Sequence, residues 1–334
     1  MSVTVRAFRR GDEPAVVALL TSVFAGWPRR LPGADPAAAF RWKHLDSPFG
    51  QSVMVVAEDG GELVGFEALL RWPFGSGAGT VQTMRGVDLA VAATHRGQGV
   101  AKALIGAATE EIAGTAQLVF SNPNTASDPL LFKQGRRPVG PFEVLVRPRR
   151  PLRMLRARRA QRRPDPPRLD RAEPAAAALA DDGQLAQLLA RRSAPDGRLA
   201  TALDPRYLRW RYGEVGDYSA VALRGDGGLD GLALFRLVPR AATWAVALCE
   251  LLAAGDDPRR LRELLGRVRT AAPADFAVCH FPPASPARRA AQRGGFVRLP
   301  RGQRLMVNPL HDDLAPDPTV TASWALSYGD LELL

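Results

Sequence analysis

The chain has 334 residues, 46% hydrophobic and 24% charged, which excludes wholesale disorder and leaves room for two domains that each bury a core. No apolar run approaches the roughly 18 residues of a membrane span, and the opening MSVTVRAFRRGDEP lacks the apolar stretch of a secretion signal, so a cytoplasmic protein is expected. The net charge of +11 is mostly local: nine arginines and no acid lie between Arg147 and Arg163, while the rest of the chain sets 36 basic residues against 34 acidic ones.

A strand is predicted over Val3 to Phe8, followed by a helix over Glu13 to Phe24 with Asp12 as its cap and Val16, Leu19, Leu20 and Val23 on one face. Beyond a Pro- and Gly-rich loop and FRWKHLDSPFG (40–50), two strands, Val53 to Ala57 and Leu63 to Arg71, flank a turn at Asp59-Gly60-Gly61. A longer strand is predicted from Thr80 to Val91. Simple alternation there puts Val87, Leu89 and Val91 on one side and Gly86, Asp88 and Ala90 on the other. RGQGVA (96–101) then turns into a helix. A strand near Gln117 to Ser121 and a closing strand near Phe142 to Val146 complete an α/β unit ending near residue 148.

Residues 149–170 read as a basic, proline-containing connector, with a short basic helix expected over Arg153 to Arg163. Past it, FRWKHLDSPFG is echoed by LRWRYGEVG (208–216), and EDGGELVGFEALLR (58–71) by GDGGLDGLALFR (225–236). The turn at Gly135-Arg136 is echoed by RGGF (293–296), with Gly135 set against Gly294. These echoes predict two related α/β domains, 1–148 and 171–334, each a mixed β-sheet flanked by helices.

The stretch that carries chemistry is RGQGVA. Gly97 and Gly99 let a ligand approach the backbone, and the amides opening the helix can point at an anion, aided by the peptide dipoles. This is a pyrophosphate cradle, with Arg96 and Lys102 as auxiliary cations. It is neither a GxxxxGK[ST] phosphate loop nor a GxGxxG fingerprint. Cys249, Cys279 and the four histidines show no ligand spacing, so no metal is expected. Glu67 and Asp88, on the strands before the cradle, are both candidate bases; His95 beside it reads as a local hydrogen-bonding residue.

VDLAVAATHRGQGVAKALIGAA (87–108), supported by VRAFRRGDEPAVVALL and NPNTASDPLLFKQGRR, resembles the GCN5-related N-acetyltransferase (GNAT) superfamily, and the chain a tandem-domain member with a degenerate second half. The resemblance implies two acyl-CoA N-acyltransferase-like domains. Acetyl-CoA is expected on Arg96, Gly97, Gln98, Gly99, Val100 and Ala101, with its pantetheine arm along Leu89 and Val91 and near Asn124. It further implies transfer to an amine acceptor. No motif names that acceptor: a small metabolite or amino sugar is the preferred class, with a peptide or protein lysine, or transfer of another acyl group, as alternatives, and Glu67 or Asp88 is the expected base. Phe132 stands where many members have a tyrosine acid for the leaving thiol, so a CoA-binding sensor or scaffold is the competing reading. The second half reads GDDPRR where a cradle belongs, and is expected to hold no CoA. Nucleic acid or an anionic surface at 147–163 ranks last, because that cluster holds no aromatic residue to stack on bases.

Overall fold

The computed structural model describes residues 3–28, 34–77, 79–123, 128–157, 164–193, 196–300 and 302–332. Strands β1 (Thr4–Ala7), β2 (Val53–Asp59), β3 (Glu62–Arg71), β4 (Thr83–Val91) and β5 (Leu118–Ser121) follow one another across a first sheet. Strand β6 (Arg137–Phe142) closes its far edge. The next strand, β7 (Leu145–Pro148), leaves for a second sheet. There it lies between β11 (Phe276–Cys279) and β12 (Val297–Arg298), beyond β8 (Tyr218–Gly225), β9 (Gly228–Arg240) and β10 (Thr243–Ala253). In return β13 (Gln303–Pro309) inserts between β5 and β6. Each half thus lends a strand to the other's sheet. The segment expected as one strand near 142–146 is two, and its halves serve different sheets. The strand expected from Thr80 is also divided, because Gly79–Val81 joins a small separate sheet with Phe74–Ser76 and Ala200–Thr201.

Helices α1 (Glu13–Val23) and α2 (Pro36–His44) pack with Phe66, Ala68 and Ala90 on one face of the first sheet. On the other face, α3 (Val100–Glu111) buries Val100 and Leu104 against Val55, Leu69 and Met84. Each such leucine contributes about 1.5–3 kcal/mol by leaving water. Asp12 does not cap α1 with its side chain; its carboxylate instead takes the Arg9 amide at 2.7 Å and the Arg6 guanidinium at 2.8 Å. Helix α4 (Asp128–Lys133) follows β5, and α5 (Pro151–Ala157) forms the start of the expected basic helix; residues 158–163 lie outside the described residues. In the second half, α6 (Asp182–Ala190) lies between the short edge strand Glu173–Pro174 and β8. Helix α7 (Pro258–Ala271) occupies the place of α3, and α8 (Pro286–Arg293) that of α4.

The internal echo is structural. Trp42 Nε1 donates to the Trp210 carbonyl at 2.8 Å and Trp210 Nε1 to the Trp42 carbonyl at 2.9 Å, the two indoles stacked with centroids 5.1 Å apart. Gly65 pairs with Val91 as Gly231 pairs with Ala253, and a Cβ on either glycine would press on a helix leucine, Leu104 or Leu264. The third echo shifts by one residue. Gly135, with φ 81°, matches Gly295, with φ 87°, and not Gly294.

Candidate active site

Alternation along β4 fails at one point. Phe66 pairs with Ala90 and Ala68 with Val87, so two residues of β4, Asp88 and Leu89, oppose the single Glu67. Asp88 takes up the extra length with φ 56°, a β-bulge. Val87 therefore packs with the α1–α2 face, while Leu89 and Val91 pack on the α3 face, contrary to a strict two-residue period. The strand also parts from its neighbour. Parallel pairing of β4 with β5 runs only from Thr83–Leu118 to Arg85–Phe120, and β4 continues to Val91 with no ladder partner on that side among the described residues. Beyond the fork Leu89 packs with Ile105, Leu131 and Met306, the last from the exchanged strand β13.

At the end of β4 the chain makes one short turn and enters α3. Gly97 (φ 76°) and Gly99 (φ 84°) are left-handed, and a Cβ added to either would meet nothing within 4 Å. Gly99 is the N-cap residue with no side-chain cap, and the first backbone bond into the helix runs from Ala103 N to the Gly99 carbonyl. The helix mouth is therefore exposed and its leading amides face outward, as an anion site requires. Arg96 Nε donates to the Val91 carbonyl at 3.1 Å, tying the loop to the strand end, and Gln98 Nε2 donates to the Thr94 carbonyl at 2.8 Å. Val100 is buried beneath the mouth and Ala101 partly so. Asn124 lies outside the described residues.

The two candidate carboxylates have different surroundings. Asp88 Oδ2 accepts Lys43 Nζ at 2.7 Å and His44 Nε2 at 3.0 Å, and His44 Nδ1 faces Ser52 Oγ at 3.1 Å. Burial favours the protonated carboxyl, but Lys43 and His44 together outweigh it and hold Asp88 well below the usual carboxylate range. Burial lowers the His44 pKa against the pull of Asp88; in its neutral form the ring donates from Nε2 to Asp88 and accepts at Nδ1 from Ser52. Glu67 is 3% exposed, and its Oε2 has no hydrogen-bond partner. Its pKa is pushed up to about 8 by burial, with Arg136 opposing and Asp88 adding to the rise.

Residues 17–135 match the sequence profile of the acetyltransferase (GNAT) family. Over that stretch the chain is similar to GNAT acetyltransferases. Solved structures agree in fold. A probable N-acyltransferase of unknown function from Enterococcus faecalis superposes with TM-score 0.61 at 9% identity, covering 93% of this chain and 73% of that one. A GCN5-related N-acetyltransferase from Anabaena variabilis gives 0.60 at 14%, with the same coverage, and one from Kribbella flavida 0.59 at 16%, covering 92% and 71%. No curated protein sequence matches the chain.

In the second half the matching helix mouth is closed. At the start of α7, Asp257 accepts the Arg259 amide at 2.8 Å, and Asp256 beside it accepts the Ser193 amide at 3.0 Å. Trp27, Trp42 and Trp72 are buried; Trp72 Nε1 donates to Thr201 Oγ1 at 2.9 Å across the junction of the halves. His95 is held by Asp59 at 3.1 Å. Phe132 projects from α4 with 66% of its surface exposed. Sequence reasoning missed Lys43 and His44, whose role depends on the bulge, and Arg136, which is 3% exposed and reaches Ser121. The described residues include no cluster suited to a metal and no helix long and apolar enough to cross a membrane.

Proposed function

We propose that the protein is a cytoplasmic N-acetyltransferase that moves an acetyl group from acetyl-CoA to the amine of a small metabolite or amino sugar. The observation that carries this reading is the exposed, uncapped mouth of α3 at the end of a strand that has parted from its neighbour. The residues present fit the carrier: outward amides with no side-chain cap, two glycines with open space around them, and an unpaired strand edge leading inward. When bound, the carrier supplies an activated thioester carbonyl.

The amides of residues 97–101 hold its pyrophosphate, with Arg96 and Lys102 adding positive charge. The backbone of Leu89 to Val91 orients the pantetheine arm, and backbone donors there stabilise negative charge growing on the carbonyl oxygen. Fixing the carbonyl against the acceptor removes part of the entropic barrier. Glu67 takes the proton of the incoming amine: it has an oxygen without a partner, and its raised pKa suits a base working near neutrality. Asp88, committed to Lys43 and His44, keeps the bulge in shape. Residues 1–148 form the acyl-CoA-binding domain, 149–170 a basic connector, and 171–334 a degenerate partner that walls the acceptor side.

Acetyl-CoA consumption across a panel of primary amines tests this, with acceptor-dependent turnover as the expected result. Phe132 lacks an exchangeable proton and favours a second reading, a CoA-binding sensor. Acetyl-CoA binding without turnover of any amine would support the sensor and defeat the enzyme.

A further inference from the structure

The two halves differ at one interior spot in a consistent way. Gly65 and Gly231 fix the correspondence between β3 and β9, which sets Glu67 against Ala233. Leu69 pairs with Gly86 and Phe235 with Leu248, so Gly86 corresponds to Leu248. The parallel ladder beside them runs Arg85–Phe120 in the first sheet and Ala247–Val278 in the second, which sets Ser121 against Cys279. The turns after α4 and α8 match bond for bond: Gly135 N donates to Phe132 O and Arg136 N to Leu131 O, as Gly295 N does to Gln292 O and Phe296 N to Ala291 O. Arg136 therefore stands where the second half has Phe296.

In the second half these four positions, Ala233, Leu248, Cys279 and Phe296, belong to one packed apolar core. In the first half all four have become polar or have lost their side chain, yet the place is still interior: Glu67 and Arg136 are each 3% exposed. Gly86 makes room, since a Cβ there would lie 3.2 Å from Arg136 Nη1. Arg136 Nη1 donates to Ser121 Oγ at 3.2 Å, and among the described residues no carboxylate comes within ion-pair distance of its guanidinium. A buried cation beside a buried carboxyl oxygen with no partner is costly unless something completes both. The spot lies at the fork of β4 and β5, where the two strands part.

We propose that Gly86, Ser121 and Arg136 form a subsite for a carboxylate carried by one of the two reacting molecules, with the Arg136 guanidinium as its ion-pair partner. Guanidinium and carboxylate match in planar, two-pronged geometry. Glu67 alongside then faces the amine, so an acceptor of the amino-acid class fits both groups at once. A dicarboxylic acyl chain on the donor carries the same anion to the same place. This proposal rests on the acyl-transfer reading and refines it.

The test uses the full chain in two arms. In the first, acetyl-CoA is the donor, and amino acids are compared with their amides as acceptors. In the second, succinyl-CoA is compared with butyryl-CoA for binding by calorimetry. A carboxylate preference of about 10- to 100-fold is expected in one arm, and the arm that shows it identifies the source. It should collapse to under about threefold in Arg136→Phe and in Glu67→Ala/Arg136→Phe, which copy residues the second half already packs; thermal melts confirm that these variants fold. Acyl-CoA binding with no preference in either arm, or a preference that survives Arg136→Phe, overturns the subsite alone. If the unmodified protein binds no acyl-CoA, the acyl-transfer reading falls, and this one with it.

Discussion

Burial opposes charge at Glu67 more than it is offset. In the unfolded chain this carboxyl titrates near 4.5, whereas in the folded protein it holds its proton up to about 8. Between those values the unfolded state carries fewer protons, so this residue costs stability progressively as pH rises. Glu67→Gln removes the slope. It should be more stable than the unmodified protein by on the order of 3 kcal/mol at pH 8 and scarcely different at pH 4, as read from denaturant melts. The same titration shapes activity. The rate should climb with pH and level off above about 8, and Glu67→Gln should lower it by about 10²- to 10⁴-fold and flatten the profile. A structural carboxyl would move the melts and leave the shape of the pH profile unchanged. Asp88 behaves oppositely. Asp88→Ala leaves Lys43 buried without its carboxylate, a loss of about 3–5 kcal/mol in the same melts.

Among the elements, β4, its turn and α3 were legible because their signals are local. Apolar alternation, two glycines and a second apolar period sit within about a turn of one another, and the structure places an open helix mouth there. The bulge at Asp88 left no such signal. A polar residue between Val87 and Leu89 reads as ordinary alternation, and only Lys43 and His44, more than forty positions earlier, reveal why the strand accepts an extra residue. Arg136 was not legible: the echo of RGGF sets Gly135 against Gly294 and so Arg136 against Gly295, and only the one-residue shift in the folded turn sets the arginine against Phe296. Exchanging Gly97 and Gly99 for valine puts Cβ atoms into open space at positive φ. The global fold should survive with a loss of about 1–2 kcal/mol per left-handed residue, while acetyl-CoA affinity falls at least tenfold.

For the molecule as a whole, a two-domain α/β organisation followed from the internal echo, but the reciprocal exchange of β7 and β13 did not. Both are short apolar strands, and nothing in a strand's own alternation names the sheet that will accept it. The exchange makes the halves interdependent, and the C-terminal segment adds to this. Glu332, buried, accepts Arg236 Nη2 at 2.5 Å and the Tyr218 hydroxyl at 2.9 Å, while its carbonyl accepts Arg85 Nη2 from β4 at 3.0 Å. Thr201 links Trp72 of the first half to Asp330. Glu332→Ala takes the carboxylate from a buried arginine and should cost about 3–5 kcal/mol, with unfolding remaining a single transition because no half is complete alone.

The amides opening α3 are proposed to hold the diphosphate of an acyl carrier. Calorimetric titration of the full chain with acetyl-CoA reads this binding itself. Saturable binding with one site per chain is expected, lost when Gly97 and Gly99 are both valine in a protein that still melts cooperatively. Absence of binding at millimolar acetyl-CoA, or binding undiminished in the double variant, would contradict it.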